Sequence, residues 1–158
     1  MMKNTTYAKV LISTSGKKYY VKNIDQDYIS PEGVITKEDF KTKKVIKFSK
    51  YTISIQEPHF LDLWDNLKRG PQIMIAKDIG LIISKTGLSK DWLVVDAGAG
   101  TGSLALSLAR LCKKVVCYDI KQSHLDVVKQ NKDMCSIKNV ELKLGDVAQN
   151  LSETDVDL

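Results

Sequence analysis

The sequence predicts an α/β chain, with a small N-terminal β module followed by the first half of a Rossmann-like domain. Short runs rich in Val, Ile, Thr and Tyr fill the first 57 residues, and strand and helix patterns alternate from residue 72 onward. A glycine-rich turn follows the first strand of the second part. We therefore expect a β-rich module over residues 1–57, a linker helix over 58–71 and a ligand-binding α/β domain over 72–158.

The predicted β module is built from short strands. The runs "YAKVLIST" and "KYYVKNI" meet at Ser15, Gly16 and Lys17, which predicts a hairpin. Pro31 and Gly33 mark a further turn, and "KVIKFSKYTISIQE" alternates well enough to predict a second strand pair that turns near residues 49–50. The lysine-rich stretch over 37–50 contains acidic and apolar residues as well, so we expect it to be structured.

The remainder of the chain alternates between helices and strands. Apolar side chains at helical spacing predict the linker helix, which should end before Gly70; they are Phe60, Leu63, Trp64 and Leu67. Helices are then predicted over 76–85, 101–112 and 121–133, and strands over 92–96, 115–119 and 140–144, with a further apolar segment starting at Val156. This alternation is typical of a parallel sheet with crossover helices.

Composition excludes several classes of protein. Of the 158 residues, 43% are hydrophobic and 27% charged, as in an ordinary folded domain. No run approaches the roughly 18 apolar residues of a membrane helix, and the start is too polar for a signal peptide, so we expect a cytoplasmic location and no membrane contact. Cys112, Cys117 and Cys135 form no CxxC pair. They fit neither a disulfide framework nor a zinc site, and we expect no metal.

Charge is distributed unevenly along the chain. Residues 1–70 contain 13 Lys and Arg against 8 Asp and Glu, whereas residues 71–158 contain 11 of each, so the whole excess of +5 lies in the first part. A basic segment adds sequence-independent affinity for phosphates. The same lysines could also be no more than a solvated charged face.

The most informative string is "WLVVDAGAGTGSLALSLARL", in which a buried-type strand ends at Asp96 and runs into Gly98, Gly100 and Gly102 before a helix begins. Glycines let a ligand approach the backbone, and a helix start offers N–H groups to an anion. The dinucleotide pattern G-x-G-x-x-G would need glycine at Ser103, and no ATPase-type phosphate loop is present. An acid at the strand end suits a cationic amino acid group, which points to S-adenosylmethionine.

Two further acids follow the next two strands. Asp119 closes "VVCYD" and could accept both ribose hydroxyls, while Asp146 follows the third strand in "LKLGDV" and could accept the adenine amino group. His124 could cover the ribose or adenine, although a lone exposed histidine on a helix more often faces solvent. Asp119 could instead be a helix cap and Asp146 a turn or cap residue.

With these motifs the sequence resembles the class I methyltransferases, and more narrowly the tRNA (adenine-N1)-methyltransferases of the archaeal and bacterial type that act on the T-loop. The narrower resemblance rests on "KRGPQIMIAKDIGLII", on the "PEGVI" turn with "EDF" after it, and on "IQEPHFLDLW". Its more specific part is the set Arg69, Gly70, Pro71, Gln72, Lys77 and Asp78.

The resemblance implies S-adenosylmethionine as cofactor, tRNA as partner, an RNA-binding homotetramer and methyl transfer to N1 of adenine. It implies that Asp119 holds the ribose, that Asp146 and Val147 lie at the adenine, and that Gln72 lies near the methionine end. The implied cofactor-binding residues are Gln72, Asp96, Gly98, Gly100, Thr101, Gly102, Ser103, Leu104, Asp119, His124, Asp146 and Val147.

The sequence departs from the family pattern in two places. Ile75 and Ala76 stand where the family has a tyrosine, near the target base, and a proline. The sequence also stops at "DVDL", before the segment in which the family carries its catalytic carboxylate, so we expect an incomplete chain and assign no catalytic residue. Two alternatives stay open: a methyltransferase for another substrate, such as a protein carboxylate or another RNA base, and a non-catalytic tRNA-binding or assembly subunit.

Overall fold

The computed structural model describes residues 7–70 and 73–158. The chain divides into two compact units, Met1–Asp65 and Asn66–Leu158. Each unit has its own sheet structure, and each is described by itself.

The first unit contains a four-stranded antiparallel sheet in the order β2-β1-β6-β5. Its strands are β1 (Lys9–Ser13), β2 (Lys18–Val21), β5 (Val45–Lys47) and β6 (Thr52–Gln56). The predicted hairpin at Gly16 is confirmed as the β1–β2 pair, and the predicted second pair is confirmed as β5–β6. Gly16 has a φ of +84°, a conformation that glycine adopts without the Cβ penalty of other residues.

A small second sheet in this unit pairs β3 (Tyr28–Ser30) with β4 (Gly33–Ile35) around the predicted turn at Pro31. At Gly33 the φ is +150°, and a Cβ there would lie 2.2 Å from Cε1 of Phe48. Glycine is therefore required at position 33, both because other residues rarely adopt this φ and because a side chain would clash with Phe48. The apolar core beneath these strands is formed by Leu11, Val21, Ile35, Phe40, Ile46, Ile53 and Ile55.

Helix α1 (Lys37–Thr42) lies in the lysine-rich stretch, which was predicted to be structured but not to be helical. Its start is a capping box: Asp39 N–H donates to Thr36 Oγ1, and Thr36 N–H donates to Asp39 Oδ2 at 2.9 Å. Phe40 faces the core. The T-x-x-D pattern was the signal that could have predicted this helix. A second short helix, α2 (Phe60–Trp64), ends the unit.

The second unit is built on a parallel sheet in the order β7-β8-β9, with β7 at Leu93–Ala97, β8 at Lys114–Asp119 and β9 at Val140–Leu144. Its helices are α3 (Ala76–Thr86), α4 (Ser103–Leu108), α5 (Gln122–Met134) and α6 (Val147–Asn150). On the other side of β7, Val95 N–H donates to Leu158 O at 2.8 Å and Asp157 N–H donates to Leu93 O at 2.9 Å. The predicted α/β fold with an N-terminal β module is confirmed.

Two predicted helices are shorter in the structure. The linker helix predicted over 58–71 is reduced to α2, because the backbone of Lys68 forms hydrogen bonds with a distant side chain and not with a helical neighbour. The Lys68 N–H donates to Asn131 Oδ1 at 2.7 Å, and the Lys68 carbonyl accepts from Asn131 Nδ2 at 3.0 Å. The helix predicted over 101–112 is α4. It starts late because Gly102 has a φ of +77°, and Asn139 Nδ2 satisfies the carbonyls of Ala109 and Cys112 beyond its end.

Cys112 and Cys117 are buried and Cys135 is half-buried, all three as free thiols. Within the described ranges no helix is both long enough and apolar enough to cross a membrane.

Candidate functional site

The candidate site is the turn between β7 and α4, at the carboxyl end of the parallel sheet. Gly98, Gly100 and Gly102 all have positive φ values, of 87°, 55° and 77°. The turn is tied to the neighbouring strand, because Gly98 N–H and Ala99 N–H both donate to the carbonyl of Tyr118, at 2.9 and 3.0 Å. The three glycines thus let the chain reverse tightly while it stays bonded to β8.

The outer two glycines are needed for different reasons. A Cβ on Gly102 would lie 2.7 Å from Cγ1 of Val128 on α5, so this glycine allows α4 and α5 to pack closely. A Cβ on Gly98 would meet no atom within 4 Å. Gly98 is exposed, so its backbone is open to a ligand.

Asp96 lies near the end of β7, beside this turn. Burial raises the pKa of its carboxyl group to about 6, a hydrogen bond from the Ala105 backbone opposes that shift, and the negative charge of Asp119 adds to it. A half-buried carboxylate with a raised pKa is stabilised by a cation placed against it. This is the electrostatic setting that a ligand ammonium group would favour.

Asp119 ends β8, and its side chain is only 6% exposed. One oxygen accepts from Lys121 N–H at 2.9 Å; the other faces Nδ1 of His124 at 3.0 Å and Gly100 N–H at 3.4 Å. Burial would raise the pKa of Asp119, but the hydrogen bonds from Lys121, His124 and Gly100 outweigh burial and hold the pKa below its usual range. Asp119 is therefore a fixed carboxylate that links the glycine turn to the start of α5.

Asp146 follows β9 and is the N-cap of α6, where its Oδ1 accepts from Ala148 N–H at 3.0 Å. The alternative that it caps a helix is thus realised in the structure. The other oxygen, Oδ2, accepts from Nε2 of the exposed Gln149 at 3.4 Å. The role of Asp146 at the adenine stays a prediction.

Two cavities lie on either side of Gly98, which lines both. One, of about 400 Å³, contains Asp96 and Asp78 with the turn and the start of α4; its lining residues include Gly98, Gly100, Thr101, Ser103 and Leu104. The other, of about 200 Å³, is lined by Ala97, Gly98, Tyr118, Asp119, Ile120, Gly145, Asp146 and Val147. The turn thus separates a space beside Asp96 from a space beside Asp119 and Asp146.

This arrangement brings together most of the predicted cofactor-binding residues. Ser103 is buried, and its Oγ accepts from Met74 N–H at 3.1 Å, so it supports the wall of the larger cavity. Thr101 is also buried. Gln72 lies outside the described residues. The direct contact of each residue with a cofactor remains a prediction.

Three residues that shape the site were not predicted from the sequence. Ile120 lines the smaller cavity and is 69% exposed. Its position could have been noticed in the sequence, because an apolar residue directly follows the acid at the end of the strand. Tyr118 is buried beside the same cavity. Asn131 on α5 is 1% exposed, and its Nδ2 donates to the carbonyl of Thr101 at 2.9 Å. A single asparagine within a helix gave no sequence signal.

The site fits a cofactor with one cationic end and one nucleoside end. The larger cavity offers a carboxylate with a raised pKa, and the smaller one offers a fixed carboxylate and an exposed apolar side chain. The exposed Gly98 backbone between them leaves room for the joining atoms. S-adenosylmethionine has these parts in this order.

Comparison with known proteins agrees with the geometry. Residues 94–158 match the family described as "Methyltransferase domain". A tRNA (adenine(57)-N(1)/adenine(58)-N(1))-methyltransferase from Methanocaldococcus jannaschii is 28% identical over 95% of this chain and 64% of its own length. A probable cobalt-precorrin-6B C(15)-methyltransferase from the same organism is 38% identical, over only 40% of this chain and 34% of its own.

Solved structures show the same fold. An S-adenosylmethionine-dependent O-methyltransferase from Thermotoga maritima superposes with a TM-score of 0.81 at 22% identity, covering 98% of this chain and 61% of its own. A tRNA methyltransferase from Aquifex aeolicus that forms 1-methyladenosine gives a TM-score of 0.77 at 20% identity, covering 95% and 61%. The chain thus spans less than two thirds of the length of each of these two proteins and of the tRNA methyltransferase from Methanocaldococcus jannaschii.

Residues 94–158 of the second unit match the methyltransferase domain family, and the parallel sheet and glycine-rich turn of this unit agree with that match. The predicted resemblance to the tRNA (adenine-N1)-methyltransferases is confirmed by the match that runs through both units.

Proposed function

We propose that this chain takes part in S-adenosylmethionine-dependent methyl transfer to N1 of adenine in the T-loop of tRNA. The extent of the sequence match supports this substrate class. The similarity to the tRNA methyltransferase covers 95% of the chain and includes the N-terminal β module, whereas the similarity to the precorrin enzyme covers 40% of the chain. A match to the cofactor-binding half alone would not distinguish between substrates.

In this proposal the α/β domain over 72–158 holds the cofactor. The carboxylate of Asp96 pairs with the ammonium group, Asp119 accepts from the ribose hydroxyls, and Asp146 with Val147 borders the adenine. Gly98, Gly100, Thr101, Gly102, Ser103 and Leu104 form the wall along the methionine part, His124 covers the ribose side, and Gln72 lies near the methionine end. Hydrogen bonds to an ionised carboxylate contribute about 1.5 to 3 kcal/mol each.

The proposed reaction requires little acid or base catalysis from the protein. The bound cofactor supplies a methyl group on a positively charged sulfur. Adenine N1 already carries a lone pair, so the contribution of the protein is to align the base and to exclude water. We assign no catalytic carboxylate among these residues. We further propose a cytoplasmic RNA-binding protein that assembles as a homotetramer, with no metal and no membrane contact.

The first test is calorimetric titration of the 158-residue chain with S-adenosylhomocysteine, accompanied by a melting curve. We expect saturable binding from a cooperatively folded chain. A folded chain that does not bind this ligand would contradict the cofactor site.

The second test measures methyl transfer to an unmodified tRNA transcript, with nucleoside mass spectrometry for 1-methyladenosine. The control transcript carries guanine in place of the T-loop adenines. Cofactor and tRNA binding without transfer would favour a non-catalytic tRNA-binding subunit. Transfer to an offered protein or to another base, with none to adenine, would favour the other substrate class.

A further inference from the structure

A broad groove of about 690 Å³ lies in the second unit, away from the glycine turn. It is bordered by the amino ends of β8 and β9, by α5 and by the loop that joins α5 to β9. Five lysines line it, against two acids: Lys113, Lys114, Lys129, Lys132 and Lys138, with Asp133 and Glu141. We call this concavity the lysine groove.

Part of the positive charge in the lysine groove is not neutralised by the protein. Lys114 pairs with Glu141 at 2.6 Å, and Nζ of Lys132 donates to the Val140 carbonyl. Lys113, Lys129 and Lys138 are exposed, and none of the three has an ion-pair partner within residues 7–70 and 73–158. Three ammonium groups are therefore available to an anionic partner.

Some of the lysines of the first unit are paired with carboxylates. Four of the ten lysines described there form ion pairs: Lys9 with Glu57, Lys18 with Asp62, Lys41 with Glu38, and Lys43 with Asp39. The excess of basic residues counted along the sequence is thus partly neutralised locally. The even charge count of residues 71–158 hides a cluster that only the fold assembles.

The walls of the lysine groove are rigidly held. Asn139 Nδ2 donates to the carbonyls of Ala109, Cys112 and Lys113, at 2.7, 3.2 and 3.3 Å. Val115 N–H donates to Asn139 O at 3.0 Å, which fixes the amino ends of β8 and β9 side by side. The lysine stems therefore project from fixed backbone positions on three different elements.

The lysine groove lies at the amino ends of the strands, and the candidate site lies at their carboxyl ends. With five or six residues per strand and a rise of about 3.3 Å per residue, the two are separated by roughly 15 to 20 Å. A ligand that occupies both must be long. Substitutions in the groove should leave the cofactor site intact.

We propose that the lysine groove binds the phosphodiester backbone of the RNA substrate. Lysine ammonium groups are point charges that suit a row of phosphates, and each such contact releases counterions from a nucleic acid. A groove that is open, wide and lined by separate lysines fits a polyanion better than a single small phosphate, which is usually held by clustered backbone N–H groups. This inference rests on the proposed tRNA substrate.

The test compares two pairs of substitutions in the 158-residue chain. Lys129→Gln with Lys138→Gln removes two exposed charges from the lysine groove. Lys85→Gln with Lys90→Gln removes two exposed charges from the same unit outside it, at positions that make no ion pair among the described residues. Binding of an unmodified tRNA transcript is measured by fluorescence anisotropy over a series of NaCl concentrations, and S-adenosylhomocysteine binding is measured by calorimetry.

We expect the groove pair to weaken tRNA binding roughly tenfold or more at 0.1 M salt. The slope of log K against log salt should become shallower by about 0.7 to 0.9 for each lost phosphate contact. The control pair should change both quantities much less, and cofactor affinity should be unchanged in both. An equal effect of the two pairs overturns the inference, as does a parent chain that binds S-adenosylhomocysteine but not tRNA.

The proposed function and this inference fail separately. If the parent chain methylates tRNA and the two pairs behave alike, the lysine groove is not the RNA surface although the function stands. If the groove pair selectively weakens tRNA binding while no adenine is methylated, the surface stands and the proposed reaction does not.

Discussion

The side-chain amide of Asn131, on α5, donates from Nδ2 to the backbone carbonyl of Thr101 at 2.9 Å, in the middle of the glycine-rich turn. The same amide bonds both backbone groups of Lys68, at 2.7 and 3.0 Å. One buried side chain thus fixes the turn and the segment that leads into the domain. Because these groups are buried or half-buried, their loss would leave backbone polar atoms unpaired.

We therefore predict that Asn131→Ala lowers the free energy of unfolding by about 2 to 4 kcal/mol, since up to three hydrogen bonds are lost together. Chemical denaturation followed by Trp fluorescence measures it. The matched control is Gln130→Ala, at the exposed neighbouring position on the same helix, which should cost less than about 1 kcal/mol. Equal losses in the two variants would show that the amide is not a structural link.

The half-buried carboxyl of Asp96 should lower the stability of the unliganded chain while it favours cofactor binding. Its pKa of about 6 lies above its ordinary value, so ionisation of Asp96 in the folded state costs free energy above pH 6, and that cost disappears as the pH falls through 6 towards 4. Asp96→Asn should raise the stability of the unliganded chain by on the order of 2 kcal/mol at pH 7.5, with the difference vanishing near pH 4. Melting curves at several pH values check this.

The same substitution should nearly abolish the pH dependence of cofactor binding. In the parent chain we expect affinity for S-adenosylhomocysteine to fall as the pH drops from 7 to 5, because Asp96 takes up a proton and loses its attraction for the ammonium group. His124 also borders this region through Asp119. A His124→Gln control that retained the pH profile would assign the profile to Asp96, whereas a flat profile in that control would assign it to the histidine.

The carboxylate of Asp119 should contribute much of the affinity for the cofactor, through hydrogen bonds to the ribose. Replacing it with Ala should weaken S-adenosylhomocysteine binding by roughly 1.5 to 3 kcal/mol, which is about 10- to 150-fold, because a charge-assisted acceptor is lost. Calorimetry measures the change. Asp126→Ala, at an exposed position on α5, is the control and should bind as the parent does. Unchanged affinity of a folded Asp119→Ala chain would leave Asp119 with only a structural role, as the link between the glycine turn and the start of α5.

The two outer glycines of the turn should respond differently to a methyl group. Gly102→Ala should destabilise the chain by about 2 to 4 kcal/mol, because the Cβ would meet Val128 at 2.7 Å and the φ is +77°. Gly98→Ala has the strained φ alone and should cost about 1 kcal/mol, yet weaken cofactor binding, since its backbone is exposed to the ligand. Thermal and chemical denaturation compare the two variants.

A second substitution tests the cause of the Gly102 effect. Val128→Ala combined with Gly102→Ala should be less destabilising than the sum of the single changes, because it removes the side chain that the new Cβ would strike. Strict additivity would show that backbone strain, and not the close approach of α4 to α5, makes glycine necessary there.

Local patterns in the sequence determined the order and type of most elements. Alternating apolar runs predicted the β1–β2 and β5–β6 pairs, and the change of period after residue 72 predicted the parallel sheet. The glycines that follow Asp96 predicted the turn, because their spacing reflects a backbone requirement that holds wherever the turn occurs. The acids after β8 and β9 were predicted at the same edge, since the carboxyl ends of parallel strands lie together.

The tertiary structure decided features that depend on residues distant along the chain. The predicted linker helix stops at Trp64, and beyond it the backbone of Lys68 bonds Asn131, 63 residues further on. The raised pKa of Asp96 depends on burial and on the nearby Asp119. The lysine groove forms only when the amino ends of β8 and β9 meet α5. Propensity and periodicity describe neighbours in sequence, whereas these properties arise from packing between elements, which the folded chain alone brings together.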